Sequence, residues 1–147
     1  MDLNDDDIME LIIAYNNHDK DNYTLMNVYT LEDDTAILLA NAYFHNYWYL
    51  NDNKELVNLR VSTPAYHEFT VYEFKKNSVE LTEKYCLYNK YLDDSKEVAH
   101  YERIDGGQDS LVAKYDNIEE IWNYFEDKRN EYISNYYELE LTSIYTH

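Results

Sequence analysis

Phe69-Thr70-Val71-Tyr72-Glu73-Phe74-Lys75-Lys76-Asn77-Ser78-Val79-Glu80-Leu81 decides the fold class. β-Branched and aromatic residues stand on both sides of a polar four-residue break, Lys75 to Ser78. That pattern predicts a β-hairpin with arms over Tyr66 to Phe74 and Val79 to Tyr88, because such side chains fit a pleated, half-buried surface. Moving outward, Lys90 to Asp94 reads as a turn and Val98 to Ile104 as a returning strand. On the other side, Ser62-Thr63-Pro64-Ala65 holds the only proline and marks a loop. Before it, the aromatic run Asn46 to Leu50 turns through Asn51-Asp52-Asn53-Lys54 into a strand over Glu55 to Val61. Three further strands are expected at Ile8 to Tyr15, Tyr23 to Thr30 and Thr35 to Tyr43, the last an Ala- and Leu-rich segment that also suits a helix. They are separated by the polar turns Asn16 to Asn22 and Glu32-Asp33-Asp34.

One helix is expected. Asn117 and Glu120 have capping-box spacing, in which each side chain satisfies the other residue's free backbone N–H. Ile118, Ile121, Trp122, Phe125, Tyr132 and Ile133 then fall on one face, with Asn123, Asp127 and Asn130 opposite. Glu119 and Glu120 occupy the first turn, where the helix dipole favours negative charge. Tyr136 to Leu141 reads as a last strand. Asp105-Gly106-Gly107-Gln108-Asp109 reads as a flexible loop and not a phosphate cradle, since no phosphate-binding lysine follows. The prediction is an α+β, mainly β fold: an antiparallel meander sheet of about seven to nine strands with one C-terminal amphipathic helix packed on it.

The chain has 147 residues, 45% of them hydrophobic, and is expected to form a single domain over residues 1–147. It has 18 tyrosines against two glycines and one proline, which again favours sheet. Net charge is −18 and it is unevenly spread. Residues 1–34 carry ten acids and one base, residues 35–92 six of each, and residues 93–147 fourteen acids and five bases. Such a field repels nucleic acid and anionic membranes and attracts basic partners or cations. Cys86, the lone cysteine, excludes an intrachain disulfide and sits in a strand pattern as a small core residue. No targeting segment or apolar run of about 20 residues is visible. As written the chain reads as cytoplasmic, and as extracellular if a signal peptide has been removed.

The opening stretch, Asp2-Leu3-Asn4-Asp5-Asp6-Asp7-Ile8-Met9-Glu10, places side-chain oxygens at Asp2, Asn4 and Asp6 and again at Glu10. Alternate side chains of a tight loop can converge on a hard cation, with the Ile8 carbonyl completing the shell. The same residues also read as a solvated acidic lead-in to a strand. The stretch resembles the D-x-[DN]-x-D-G-x-x-[DE]-L loop of FG-GAP and VCBS-type β repeats, in the form found in small secreted proteins and lipoproteins of Gram-positive bacteria. Phe69 to Leu81 resembles that family's strand, turn, strand unit, and Tyr136 to Leu141 its closing strand. The resemblance implies a structural module in which Asp2, Asn4, Asp6, Ile8 and Glu10 coordinate calcium. Asp7 stands where the family has glycine, a position that favours φ > 0.

Enzyme chemistry is not expected. His18, His45, His67, His100 and His147 show no ligand spacing, and no nucleophile elbow or nucleotide loop is present. His45 and His67 lie in aromatic segments that could bring them together across strands. The function the charge suggests is an acidic binding protein that occupies a basic surface of a partner. Phage and mobile-element inhibitors of host defence nucleases, some of them nucleic-acid mimics, work in this way. Asp33, Asp34, Asp93, Asp94, Glu119, Glu120, Glu126 and Asp127 are the candidate phosphate-like charges. Two alternatives are the calcium module and an immunity protein that neutralises a basic toxin. No cofactor is required by the first reading; calcium belongs to the second. The expected partner is a basic protein, either a nucleic-acid-binding enzyme or a toxin, with no direct binding to nucleic acid or membrane.

Overall fold

The computed structural model describes residues 1–17, 22–63, 66–92, 97–115, 118–133 and 139. Among these are nine strands in one antiparallel sheet and one helix, so the predicted mainly β architecture is present. The strands are β1 (Leu11–Asn17), β2 (Asn22–Glu32), β3 (Thr35–Asn41), β4 (Asn46–Leu50), β5 (Leu56–Thr63), β6 (Tyr66–Phe74), β7 (Leu81–Tyr91), β8 (Val98–Ile104) and β9 (Ser110–Tyr115). Helix α1 (Ile118–Ile133) follows. From β4 to β9 each strand pairs with its sequence neighbour. At the other end β2 is shared: β3 pairs with its second half, and β4 meets its first half at Leu25↔Trp48. β1, β2 and β3 therefore form a three-stranded ribbon joined to the rest of the sheet at one point of β2.

Period-two alternation gives the sheet two packed faces. On one, Val57, Leu59, Phe69, Val71, Tyr85 and Leu87 are buried beneath Phe125 of α1. The rings of Phe69 and Phe125 meet edge to face with centroids 5.5 Å apart, and Tyr132 stacks on Tyr85 at 4.9 Å. The second core joins Leu25, Val28 and Ala40 of the ribbon to Leu50, Leu56, Leu3 and Leu139. Polar bonds tie the helix down as well: Tyr85 on β7 and Tyr124 on α1 both donate to Glu102 Oε1 on β8, at 2.7 and 3.0 Å.

Several boundaries differ from expectation. β1 begins at Leu11, not Ile8, because the Glu10 carboxylate is turned inward and bonded. β9 had no predicted counterpart; its central residues Leu111 and Val112 are both exposed, which erases the alternation a half-buried strand shows. Asp105 (φ 51) and Gly106 (φ 64) form a tight turn closed by a Gly107 N–H to Ile104 carbonyl bond of 2.9 Å, in place of the flexible loop expected from the sequence. A Cβ at Gly107 would sit 2.9 Å from that carbonyl oxygen, so only glycine fits. Trp122, expected on the buried helix face, is part exposed while its ring lies 4.1 Å from that of His67. The middle of the first turn, Pro64–Ala65, the Asn117 cap and most of the Tyr136 to Leu141 strand fall outside the described residues.

Candidate functional site

The N-terminal loop folds on its own side chains. The Asp6 N–H donates to Asp2 Oδ1 (3.3 Å) and to Asn4 Oδ1 (3.2 Å). The Asp7 N–H donates to Asp2 Oδ2 (3.2 Å), and the Ile8 N–H to Asp6 Oδ1 (2.8 Å). Asn4 Nδ2 donates to Asp6 Oδ2 at 2.8 Å. Asp2, Asn4 and Asp6 are thus brought together by backbone donors, which offset the repulsion among carboxylates. Asp7 has a φ of 67°, in the left-handed region that glycine favours, and Asp5 shares it at 56°. Glu10 is committed elsewhere. It is buried, and its carboxylate accepts the Leu3 N–H at 2.6 Å and the Thr30 hydroxyl at 3.0 Å. Among the described residues no three His, Cys, Asp or Glu side chains meet in a geometry that could hold a metal ion. The loop is anchored to the β6–β7 turn: Asn4 Nδ2 donates to the Ser78 carbonyl (3.0 Å), and the Asn77 N–H to the Asn4 carbonyl (2.9 Å).

The proposed phosphate-like charges do not form one surface. Asp33 and Asp34 make the two-residue turn between β2 and β3, exposed and with φ of 48° and 62°. Two left-handed residues match the twist of a hairpin, and Asp tolerates that region better than most. Glu119, Glu120, Glu126 and Asp127 lie on α1, which packs over β5 to β9. In the sheet β4 stands between β2 and the strands that α1 covers. Glu126 is ion-paired to Arg129. Asp93 and Asp94 lie outside the described residues.

Several carboxylates in the later part of the chain are paired. Arg103 binds Glu83 through two guanidinium nitrogens (2.6 and 2.8 Å) and reaches Asp109 at 3.2 Å. Lys84 pairs with the buried Glu55, Lys75 with Glu80 and Lys128 with Glu131. Tyrosine hydroxyls serve the same end: Tyr88 donates to Asp109 at 2.8 Å, and Tyr66 to Glu68. Burial, with that bond to Glu68 second, pushes the Tyr66 phenol up to about 12, so it stays a donor. By contrast, residues 1–53 contain a single base, Lys20, and no described lysine or arginine. Asp5, Asp7, Glu32, Asp33 and Asp34 are exposed or half-exposed there and enter no ion pair among the described residues. Asp5, Asp7 and Glu32 were absent from the sequence-based candidates.

Among the described residues, His67, His100 and Cys86 are structural in placement. His45 stands exposed beside Phe44, whereas His67 is buried against Trp122 and Phe125, so the expected approach of the two does not occur. His67, Asn89 and His100 instead form a buried polar row across β6, β7 and β8. His100 is fully enclosed, edge-on to the rings of Tyr115 and Tyr124, and neither ring nitrogen has a hydrogen-bond partner among the described residues. Burial pushes its pKa down to about 4, with the neighbouring His67 adding to the shift and Glu102 opposing it. Cys86 is buried and its thiol is pushed up to about 11 by that burial, which removes the thiolate a nucleophile needs. No described helix is long and apolar enough to cross a membrane. Comparison with protein-family models, with curated proteins and with solved structures finds no match to this chain.

Proposed function

We propose that this chain is a non-catalytic acidic binding protein that occupies a basic surface of a partner protein inside the cell. The partner of choice is a host defence nuclease, bound by a phage or mobile-element inhibitor whose carboxylates stand where nucleic-acid phosphates would. One observation carries the reading. Over residues 1–53 the exposed carboxylates Asp5, Asp7, Glu32, Asp33 and Asp34 form no ion pair among the described residues, while Lys75, Lys84, Arg103, Lys128 and Arg129 each hold a carboxylate in the rest of the chain. A field of that sign steers a cationic surface toward it and is screened over about 8 Å at physiological salt. An immunity protein against a basic toxin would use the same physics and differ only in its partner.

The test is direct binding to a panel of purified nucleases and nuclease toxins with basic substrate channels, at low and at physiological salt. Binding that weakens steeply with salt and is displaced by the enzyme's own nucleic-acid substrate is expected. Salt-insensitive binding, or none across the panel, would remove the reading.

A calcium-stabilised loop is the second reading, supported by the left-handed φ at Asp7 and the convergence of Asp2, Asn4 and Asp6. Calcium would then raise the melting temperature relative to chelator by mass action, and Asp6→Ala would abolish the rise. An identical melting temperature in both buffers, for both proteins, would eliminate it. Glu10 would have to leave its bonds to Leu3 and Thr30, or share them, to join the shell.

A further inference from the structure

The β1–β2–β3 ribbon has one face in the core and one outside, and the outer face is apolar where a solvated sheet face is normally polar. Register shows which residues share it. Leu11 pairs with Tyr29, and Tyr29 with Leu38, so these three side chains form one row across the ribbon. Ile13, Asn27 and Asn41 form the next row, tied by a 3.3 Å bond from Asn27 Nδ2 to Asn41 Oδ1. Ile12, Val28 and Ala40 pair on the opposite face, where Val28 and Ala40 are buried in the core. On the outer face Leu11 is 60% exposed, Leu38 47%, Leu31 44% and Tyr15 64%. Scattered apolar residues need no explanation, but a contiguous row of them on one sheet face marks an interaction surface.

The rim identifies the occupant. Glu32, Asp33 and Asp34 close the ribbon at the end where Leu11 starts β1, and Asp7 lies four residues before Leu11. No described base lies within the ribbon. A second copy would set like-charged rims of two chains of net charge −18 against each other, which costs free energy at physiological salt. An aliphatic patch fringed by lysine or arginine matches both the row and its rim.

We infer that the outer face of β1–β2–β3 is the docking surface for a partner protein that presents aliphatic side chains within a basic surround. The inference rests on the acidic-binding reading above and gives it a location: the apolar row supplies contact area and the acidic end supplies attraction and orientation. Glu119, Glu120, Glu126 and Asp127 lie on α1 and are not part of this rim.

The test uses three short peptides of equal length, alternating Lys/Leu, Lys/Ser and Glu/Leu, titrated into the full chain and into a Leu11→Gln, Leu38→Gln variant. Both substituted positions are exposed, and an unchanged melting temperature verifies the fold. The Lys/Leu peptide should bind roughly tenfold more tightly than Lys/Ser. The double variant should erase that difference, the Glu/Leu peptide should not bind, and hydrogen exchange should slow in β1 and β2. Equal binding of both lysine peptides overturns the apolar surface while leaving the acidic reading standing. Failure of both lysine peptides overturns the two together. A wild-type dimer that Leu38→Gln dissociates assigns the face to a second copy and also overturns the proposal.

Discussion

The half of the sheet under α1 and the ribbon at its other end use the same residue types to opposite effect. Under the helix, Arg103 is closed over Glu83 and Asp109, Glu102 accepts two tyrosine hydroxyls, and a ring cluster around Phe69 and Phe125 fills the space between the layers. In the ribbon, leucine and tyrosine face solvent and the carboxylates have no described cationic partner. The first region pairs several of its carboxylates; the second pairs none of its exposed ones among the described residues. Total charge therefore says less about binding than which carboxylates are already occupied.

The largest test of this contrast is truncation within each region. Phe125→Ala should destabilise by about 3–5 kcal/mol in denaturant unfolding, since it empties the centre of the helix-side core. Leu38→Ala on the ribbon should cost within about 0.5 kcal/mol, as surface changes do. Comparable losses would erase the distinction.

Acid sharpens the comparison next. His100 is held neutral, with a pKa of about 4 against an ordinary 6.5, so the unfolded chain takes up its proton first as pH falls. Its contribution is complete above 6.5 and is lost progressively down to about 4, on the order of 3 kcal/mol in all. Unfolding midpoints at pH 7 and pH 4.5 should separate for the wild type, and His100→Phe should shrink that separation. An unchanged separation would mean that His100 is not what acid acts on.

Smaller effects belong to the ion pairs and the turns. Arg103→Met should cost about 1–3 kcal/mol, because Glu83 loses a two-pronged partner at a part-buried site. Asp7→Gly should stabilise by up to about 1 kcal/mol, relieving a left-handed φ of 67° and one like charge. A loss on Asp7→Gly would show that its side chain carries a bond or a role the loop needs.

Much of the sheet was legible because period-two patterns and polar breaks are local. β6, β4 and β8 occur where Tyr66 to Phe74, Asn46 to Leu50 and Val98 to Ile104 placed them. β9 escaped because Leu111 and Val112 are both exposed, so its sequence carries no buried side to detect. The candidate charges were legible as residues but not as a site. Whether a carboxylate is available depends on partners such as Arg103, twenty positions from Glu83, that only the strand register brings near. The apolar segment Leu11 to Tyr15 announced a strand, yet a continuous apolar run does not say which side is covered.

The docking of the opening loop onto the β6–β7 turn has a consequence for biosynthesis. Asn4 finds its partners at Asn77 and Ser78, more than seventy residues downstream. On the ribosome the aspartate loop emerges before that hairpin, so its full docking waits for the hairpin while only its bonds through Glu10, Thr30 and Lys54 are available. Leu3, which helps cover the second core, is delayed with it. Closure then requires a long-range encounter, the slow kind in folding, and a nascent chain stalled before Ser78 would show the stretch before β1 open to protease.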